Sequence, residues 1–160
     1  MASESQVTLQ MKRQFSVRPE RVFDAWLDPN CMKRWLFTTS GSNKVCTNHS
    51  VVGGTWEIVD HRDGKDYRAI GKYLEIEEPK KIVFTFQMPQ FSESVDKIKV
   101  ELKEVESGCE MIFTQFINIP HEIGREAEDM EKEKKSYKEQ YKHGWNLMFI
   151  SLEQQVARDK

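Results

Sequence analysis

The stretch SYKEQYKHGWNLMFISLEQQVAR, Ser136 to Arg158, decides the fold. Tyr137, Tyr141, Trp145, Met148 or Phe149, Leu152 and Val156 recur at steps of three and four, the period of one helical face. Lys138, Lys142, Asn146, Glu153 and Gln154 take much of the opposite side. At 3.6 residues per turn the segment predicts a helix of about six turns. Its apolar stripe is wide and aromatic, so it must lie on something apolar. Almost everything before it, from Val45 to Ile119, reads as strands, and a curved antiparallel sheet gripping this one helix is the simplest architecture. Gly144 falls mid-helix, where glycine costs about 1 kcal/mol against alanine. It is either a tolerated weakness or a point where the backbone nears the sheet or leaves room for a ligand beside Trp145.

Just before this helix, His121 to Lys135 is dense in Glu and Lys. Such charge reads as a solvated helix face or a mobile loop, with a lid over a pocket as the alternative. Pro120 closes the sheet region. Cys109 to Ile119 places Met111, Phe113, Gln115 and Ile117 on one face and Ile112, Thr114 and Phe116 on the other. Val95 to Glu104 sets Ile98, Val100 and Leu102 against Lys97, Lys99, Glu101 and Lys103, so its charged side faces water. Lys81 to Met88 is the clearest strand, with Ile82, Phe84, Phe86 and Met88 alternating against Val83, Thr85 and Gln87. Asp66 to Ile76 has no single phase: Tyr67, Ala69, Gly71 and Tyr73 share one face, Ile70, Leu74 and Ile76 the other. Thr55 to Asp60 turns Trp56 and Ile58 to one face and Glu57 outward, and Lys44 to Ser50 forms another strand. Gly53-Gly54, Asp63-Gly64, Glu78-Pro79-Lys80 and Glu106-Ser107-Gly108 are the turns.

Nearer the start, Val7 to Val17 alternates as a first strand, with Val7, Leu9, Met11, Phe15 and Val17 on one face. Pro19 suits a first helical turn, and Val22, Phe23, Trp26 and Leu27 follow as a stripe. Asp28-Pro29-Asn30 stops that helix. Asn30 is then expected to cap a second short helix, Cys31 to Trp35, which carries Met32, Trp35 and Leu36 inward.

The 160 residues hold 24 Lys+Arg against 26 Asp+Glu, a balance without the basic footprint of a nucleic-acid binder. No apolar run approaches the roughly 20 residues of a membrane span. Met1 to Gln10 lacks the basic start and apolar run of a secretory leader. Cys31, Cys46 and Cys109 are an odd number with no close pair, so they read as reduced thiols and the protein as cytoplasmic. Cys46 and His49 lack the partners of a metal set, and no cofactor is expected.

Several local motifs stand in a fixed order. They are Ser16-Val17-Arg18-Pro19-Glu20-Arg21-Val22-Phe23-Asp24-Ala25-Trp26, Asp28-Pro29, Lys33-Arg34-Trp35 and Val52-Gly53-Gly54-Thr55-Trp56. Gly71-Lys72-Tyr73-Leu74-Glu75-Ile76, Glu78-Pro79-Lys80-Lys81-Ile82-Val83, Glu104 to Gly108, and Gly144-Trp145 follow. In this order the chain resembles the activator of heat-shock-protein-90 ATPase homologue family, within the SRPBCC or START-like superfamily, over roughly Val7 to Leu152. The resemblance implies an α+β helix-grip fold: a bent antiparallel sheet of about seven strands around the C-terminal helix, with two short helices closing one end. It implies one START-like domain over residues 1–160, with its core at about 7–157. It also implies a cavity between sheet and helix. Superfamily members bind lipids, sterols or polyketides, and some are cyclases or dehydratases. Two departures stand out: the run Glu122 to Lys135 is longer and more charged than a short link, and Gln115 stands where many relatives carry His.

Function follows from the inward faces. Trp35, Trp56, Tyr67, Phe84, Phe86, Met88, Met111, Phe113, Gln115, Trp145 and Phe149 are the candidate ligand-binding residues, for a small hydrophobic molecule. An aromatic sheet face opposite an aromatic helix is first of all a core, and the methionines favour a pocket because they can repack around varied shapes. His49, His61, His121 and His143 fall in loops or on the polar side of a helix, and no nucleophile elbow, phosphate loop or metal motif is present. A monomeric binding protein without catalysis is therefore expected. The alternatives are a module that binds a chaperone, or a cyclase- or dehydratase-type enzyme.

Overall fold

The computed structural model of the chain describes residues 4–91, 93–120 and 127–158. Its elements are β1 (Glu4–Phe15), α1 (Pro19–Leu27), α2 (Pro29–Trp35), β2 (Asn43–Asn48) and β3 (Thr55–Arg62), followed by β4 (Lys65–Glu77), β5 (Lys81–Phe86), β6 (Asp96–Val105), β7 (Gly108–Pro120) and α3 (Ala127–Arg158). The strands form one curved antiparallel sheet in the order β1-β7-β6-β5-β4-β3-β2. From β2 to β7 each strand pairs with its successor, because short turns can join antiparallel neighbours. β1 pairs with β7, so β1 and β2 are the two edges, and α1 and α2 carry the chain between them. With α3 packed inside the curve, this is the helix-grip fold that the resemblance implies.

The unreadable phase of β4 has a physical cause. Tyr73 pairs with Phe84, but Glu75 pairs with Val83, so β4 holds one extra residue between them. Side chains alternate strictly, and one inserted residue exchanges the faces. Before the bulge Ala69 and Tyr73 point inward and are buried; after it Ile76 packs on the core while Leu74 is exposed.

Two helix boundaries differ from expectation. The cap of α2 is Asp28, not Asn30: its Oδ1 accepts the Asn30 N–H at 2.9 Å, and Pro29 fills the first helical position. The Asp28 N–H also ends α1 on the Asp24 carbonyl at 2.7 Å. α3 starts at Ala127 rather than Ser136, because Ala, Glu, Lys and Met leave no breaker there. Most of the charged run is therefore the first turns of α3, with Glu131, Lys132 and Lys135 exposed, while residues 121–126, His121 included, lie outside the described residues.

Trp26 of α1 is the hub of the core. Its ring centroid is 4.7 Å from that of Trp35, edge-on at 89°, and 6.3, 6.1 and 6.3 Å from those of Phe113, Trp145 and Phe149. The Trp35 indole N–H donates to the Ala25 carbonyl at 2.9 Å, so this ring is both packed and satisfied. β7 contributes Met111, Phe113, Gln115 and Ile117, all fully buried, as its alternation predicts.

Candidate functional site

Along α3 the stripe changes character around Gly144, with Met148 the one half-buried stripe residue beyond it. Trp145, Phe149, Leu152 and Val156 are buried, whereas Tyr137, Tyr141 and Met148 are only half-buried. Two adjoining cavities, each of about 240 Å3, open beside the half-buried part. One is lined by Phe37, Phe86, Met88, Tyr137, Gln140, Tyr141, Gly144, Trp145 and Met148. The other is lined by Phe86, Gln87, Met88, Phe91, Ser94, Asp96, Asn118, Tyr137 and Tyr141. Phe86, Met88, Tyr137 and Tyr141 belong to both. Larger hollows, of about 470 and 490 Å3, lie on the outer sheet surface among Glu57, Arg68 and Lys72, and among Glu20, Lys81 and Lys103. Of the described residues that line them, Trp56 in the first is the only aromatic one, against five in the cleft beside Gly144.

Phe37, just after α2, forms one wall. Its φ of 59° lies in the left-handed region, which costs a residue with a Cβ about 1–2 kcal/mol. Packing holds it there. The ring stacks on Phe86 at 4.8 Å and 5°, lies parallel to Trp56 at 6.1 Å and 7°, and meets Trp145 edge-on at 5.2 Å and 68°. Its N–H donates to Met148 Sδ at 3.3 Å. The unusual backbone thus aims an aromatic ring into the space beneath α3.

A buried polar chain lies behind the other wall. Trp145 Nε1–H donates to Gln115 Oε1 at 2.8 Å, and Gln115 Nε2–H donates to Asp96 Oδ2 at 2.9 Å. The Asn118 N–H donates to Asp96 Oδ1 at 3.0 Å. Gln115 is fully buried and Asp96 is 5% exposed. Asp96 sits opposite Phe86 in the β5–β6 register, which brings its carboxylate to the second cavity. Burial, the Asp96 charge and Tyr137 push the Tyr141 hydroxyl up to about 12, so it stays a protonated donor through the neutral range.

Of the candidates read from sequence, Phe86, Met88 and Trp145 line the cleft. Gln115 lies behind it as the bridge between Trp145 and Asp96. Trp56 is a second layer, stacked on Phe37 and Phe86. Trp35, Phe84, Met111, Phe113 and Phe149 are core residues away from both cavities. Tyr67 stands at the rim, beneath the Arg62 guanidinium at 4.5 Å and 6.0 Å from Phe91. Sequence reasoning missed Phe37, Asp96, Tyr137, Tyr141 and Met148 as site residues. Asp96 carried a usable signal, since it shares parity with Ile98, Val100 and Leu102; Phe37 sits in a loop and carried none.

His49, His61 and His143 are exposed, and His61 Nδ1 lies 2.6 Å from Asp66 Oδ1. Burial pushes the Cys46 and Cys109 thiols up to about 11, which leaves them weak nucleophiles near neutral pH. Among the described residues no three His, Cys, Asp or Glu side chains are placed to hold a metal ion. No described helix is long and apolar enough to cross a membrane.

Solved structures share this architecture. A Staphylococcus aureus protein of unknown function, SA2116, is 27% identical with a TM-score of 0.91, over 98% of this chain and 96% of that one. NE0264 of Nitrosomonas europaea is 22% identical with a TM-score of 0.76, covering 96% of both chains. CV1439 of Chromobacterium violaceum is 22% identical with a TM-score of 0.70, over 93% of this chain and 96% of that one. No curated protein matches the sequence. The family model described as activator of Hsp90 ATPase homolog 1-like protein matches residues 16–157, the span from the end of β1 to the last turn of α3, and the chain belongs to that family.

Proposed function

We propose that the cleft between α3, Phe37 and the β5–β6 end of the sheet binds a small lipophilic molecule. The observation that carries this reading is Gly144. A Cβ built there would meet no heavy atom within 4 Å, so no close backbone approach demands glycine. What its missing side chain leaves is space, and that space opens on the aromatic cavity beside Trp145. Mostly apolar walls with a few fixed polar groups are the usual form of a ligand site, and Met88 and Met148 can repack around varied shapes. The role is binding without turnover, in a cytoplasmic monomer: Gln115 and Asp96 are tied to an indole, an amide and main chain, and burial holds the Tyr141 hydroxyl protonated.

Amide NMR spectra recorded against fatty acids, sterols, flavonoids and polyketide-like aromatics test this. Saturable shifts at Phe37, Met88, Tyr141 and Gly144 are expected. Shifts confined to the outer sheet face, or none from any compound, would overturn it. A second reading, a protein-binding module acting on a chaperone, draws on the family's name and on Val51 and Val52, 50% and 63% exposed in the β2–β3 turn. Stimulation of a heat-shock-protein-90 ATPase by the pure protein, lost on Val52→Glu, would favour it.

A further inference from the structure

Phe37 is held from two sides. Its ring packs against Phe86 and Trp145, and the residue after it is tied to the sheet. The Thr38 hydroxyl donates to Asp60 Oδ1 at 2.8 Å, out of contact with water, since Thr38 is 6% and Asp60 3% exposed. Asp60 stands on β3 with the inward parity of Trp56 and Ile58, where alternation expects an apolar residue. Resting on the ligand-binding reading, we infer that the Thr38–Asp60 hydrogen bond is a positioning contact for the cleft: it places the Phe37 ring where it forms the wall of the ligand site.

The Asp60 carboxylate is itself held in place. Ser42 Oγ donates to the same Oδ1 and Arg62 Nε–H to Oδ2, each at 2.5 Å, the partners that a carboxylate taken out of water needs. The Thr38 hydroxyl has one proton, and the Thr39 carbonyl, at 3.4 Å, is the poorer acceptor for it. The chain between Thr38 and β2 is also tied down. The Thr39 carbonyl accepts the Ser42 and Asn43 N–H groups at 3.2 and 2.9 Å, and the Ser42 carbonyl accepts the His61 N–H at 2.8 Å. On the other side of Phe37, Leu36 is buried and its N–H ends α2 on the Met32 carbonyl at 2.9 Å. Phe37 thus joins two anchored residues, and its φ of 59° is the conformation that joins them. Apolar packing is non-directional, whereas a hydrogen bond fixes an angle, so the bond is what selects this backbone. Without it Phe37 can relax to the right-handed region that its Cβ favours, which swings the ring away from Phe86.

A contact that only held the core together would act without regard to Phe37; a positioning contact acts on binding through Phe37 alone. A double-mutant cycle read by affinity separates the two. The probe is 2-naphthylmethanol, a neutral naphthalene compact enough for a cavity of about 240 Å3, titrated into the full chain by calorimetry at pH 7. Thr38→Val keeps the shape of the side chain and removes the hydroxyl. It should weaken the probe at least about fivefold and move the Phe37 ring resonances, which stacking on Phe86 now shifts. Thr38→Ser restores the hydroxyl and should bring the affinity back to within about twofold and the ring resonances back to their places. In a Phe37→Leu background no ring is left to position, so Thr38→Val should change the affinity by less than about twofold. Equal weakening in both backgrounds, or a Thr38→Val protein that binds the probe as the natural chain does, overturns the inference and leaves the ligand site standing. No binding by the natural chain, with no NMR shift in the cleft, overturns the ligand-binding reading and the role of this contact with it. Should Phe37→Leu fail to fold, Thr38→Val and Thr38→Ser decide, because only a bond acting on Phe37 moves its ring and the affinity together.

Discussion

The two halves of α3 obey one spacing rule and end in opposite situations. From Trp145 to Val156 the stripe, apart from the half-buried Met148 at its edge, is packed against Trp26, Phe113 and their neighbours. From Tyr137 to Gly144 the same stripe is half-buried and borders open space. The difference lies in what faces the helix. The sealed half meets α1, α2 and the large residues of β7. The open half meets the ends of β5 and β6 and the loop of Phe37, where the sheet has fewer side chains to offer. A helical period tells which face turns inward; the partner surface decides whether that face becomes core or pocket wall.

The strongest way to break this comparison is to remove the residue at its boundary. Trp145→Ala deletes a fully buried indole that touches Trp26, Phe113 and Phe149, with centroids 4.4 Å apart for Phe113. Truncating such a residue costs about 3–5 kcal/mol. Urea unfolding should show a loss of that size with an unchanged slope. A loss below about 1 kcal/mol would mean the sealed half is not the stability anchor described.

Gln115 sharpens the comparison from the sheet side. Gln115→Leu keeps the volume roughly constant but strands the Trp145 N–H and takes one donor from Asp96. Each buried polar group left unpaired costs about 1–3 kcal/mol, so the variant should be destabilised by about that amount, less than Trp145→Ala. Its effect should also reach across the boundary: with the bridge gone, the Trp145 indole NH resonance and the Tyr141 ring resonances should both move. A shift confined to Trp145 would show that the polar chain stops at Gln115 and does not organise the cleft.

Much of the fold was legible because its strands carry clean alternation. Ile82, Phe84 and Phe86 on β5, and Met111 to Ile117 on β7, point where their parity says. Legibility failed where a local event broke the period. The extra residue between Tyr73 and Glu75 exchanges the faces of β4, and no single phase can describe both ends. The cleft was harder to read than the core for a related reason. Phe86, Met88 and Trp145 look no different in sequence from Phe84, Met111 and Phe149, because all six are large, apolar and correctly phased. Separating wall from core takes the position of Phe37, a loop residue whose left-handed backbone no pattern announces. Asp96 was within reach, as an acidic residue on an apolar face.

Gly144→Ala gives the smallest expected effect and the sharpest division between the two halves. An alanine there finds open space, and it relieves the mid-helix glycine penalty of about 1 kcal/mol. The variant should therefore be more stable than the natural chain, with Tm raised by about 2–4 °C. The same methyl group projects into the cleft beside Trp145, so 2-naphthylmethanol should bind more weakly as the protein becomes firmer. Gly144→Leu should extend the trend, closing the cavity to the naphthalene with stability near that of the natural chain. A fall in Tm on Gly144→Ala would place hidden packing at this turn and remove the reason for calling the open half open. A rise in Tm with unchanged binding by both variants would leave the helix argument intact but move the ligand elsewhere. Only a gain in stability coupled to a loss of binding fits a glycine kept for the room it leaves.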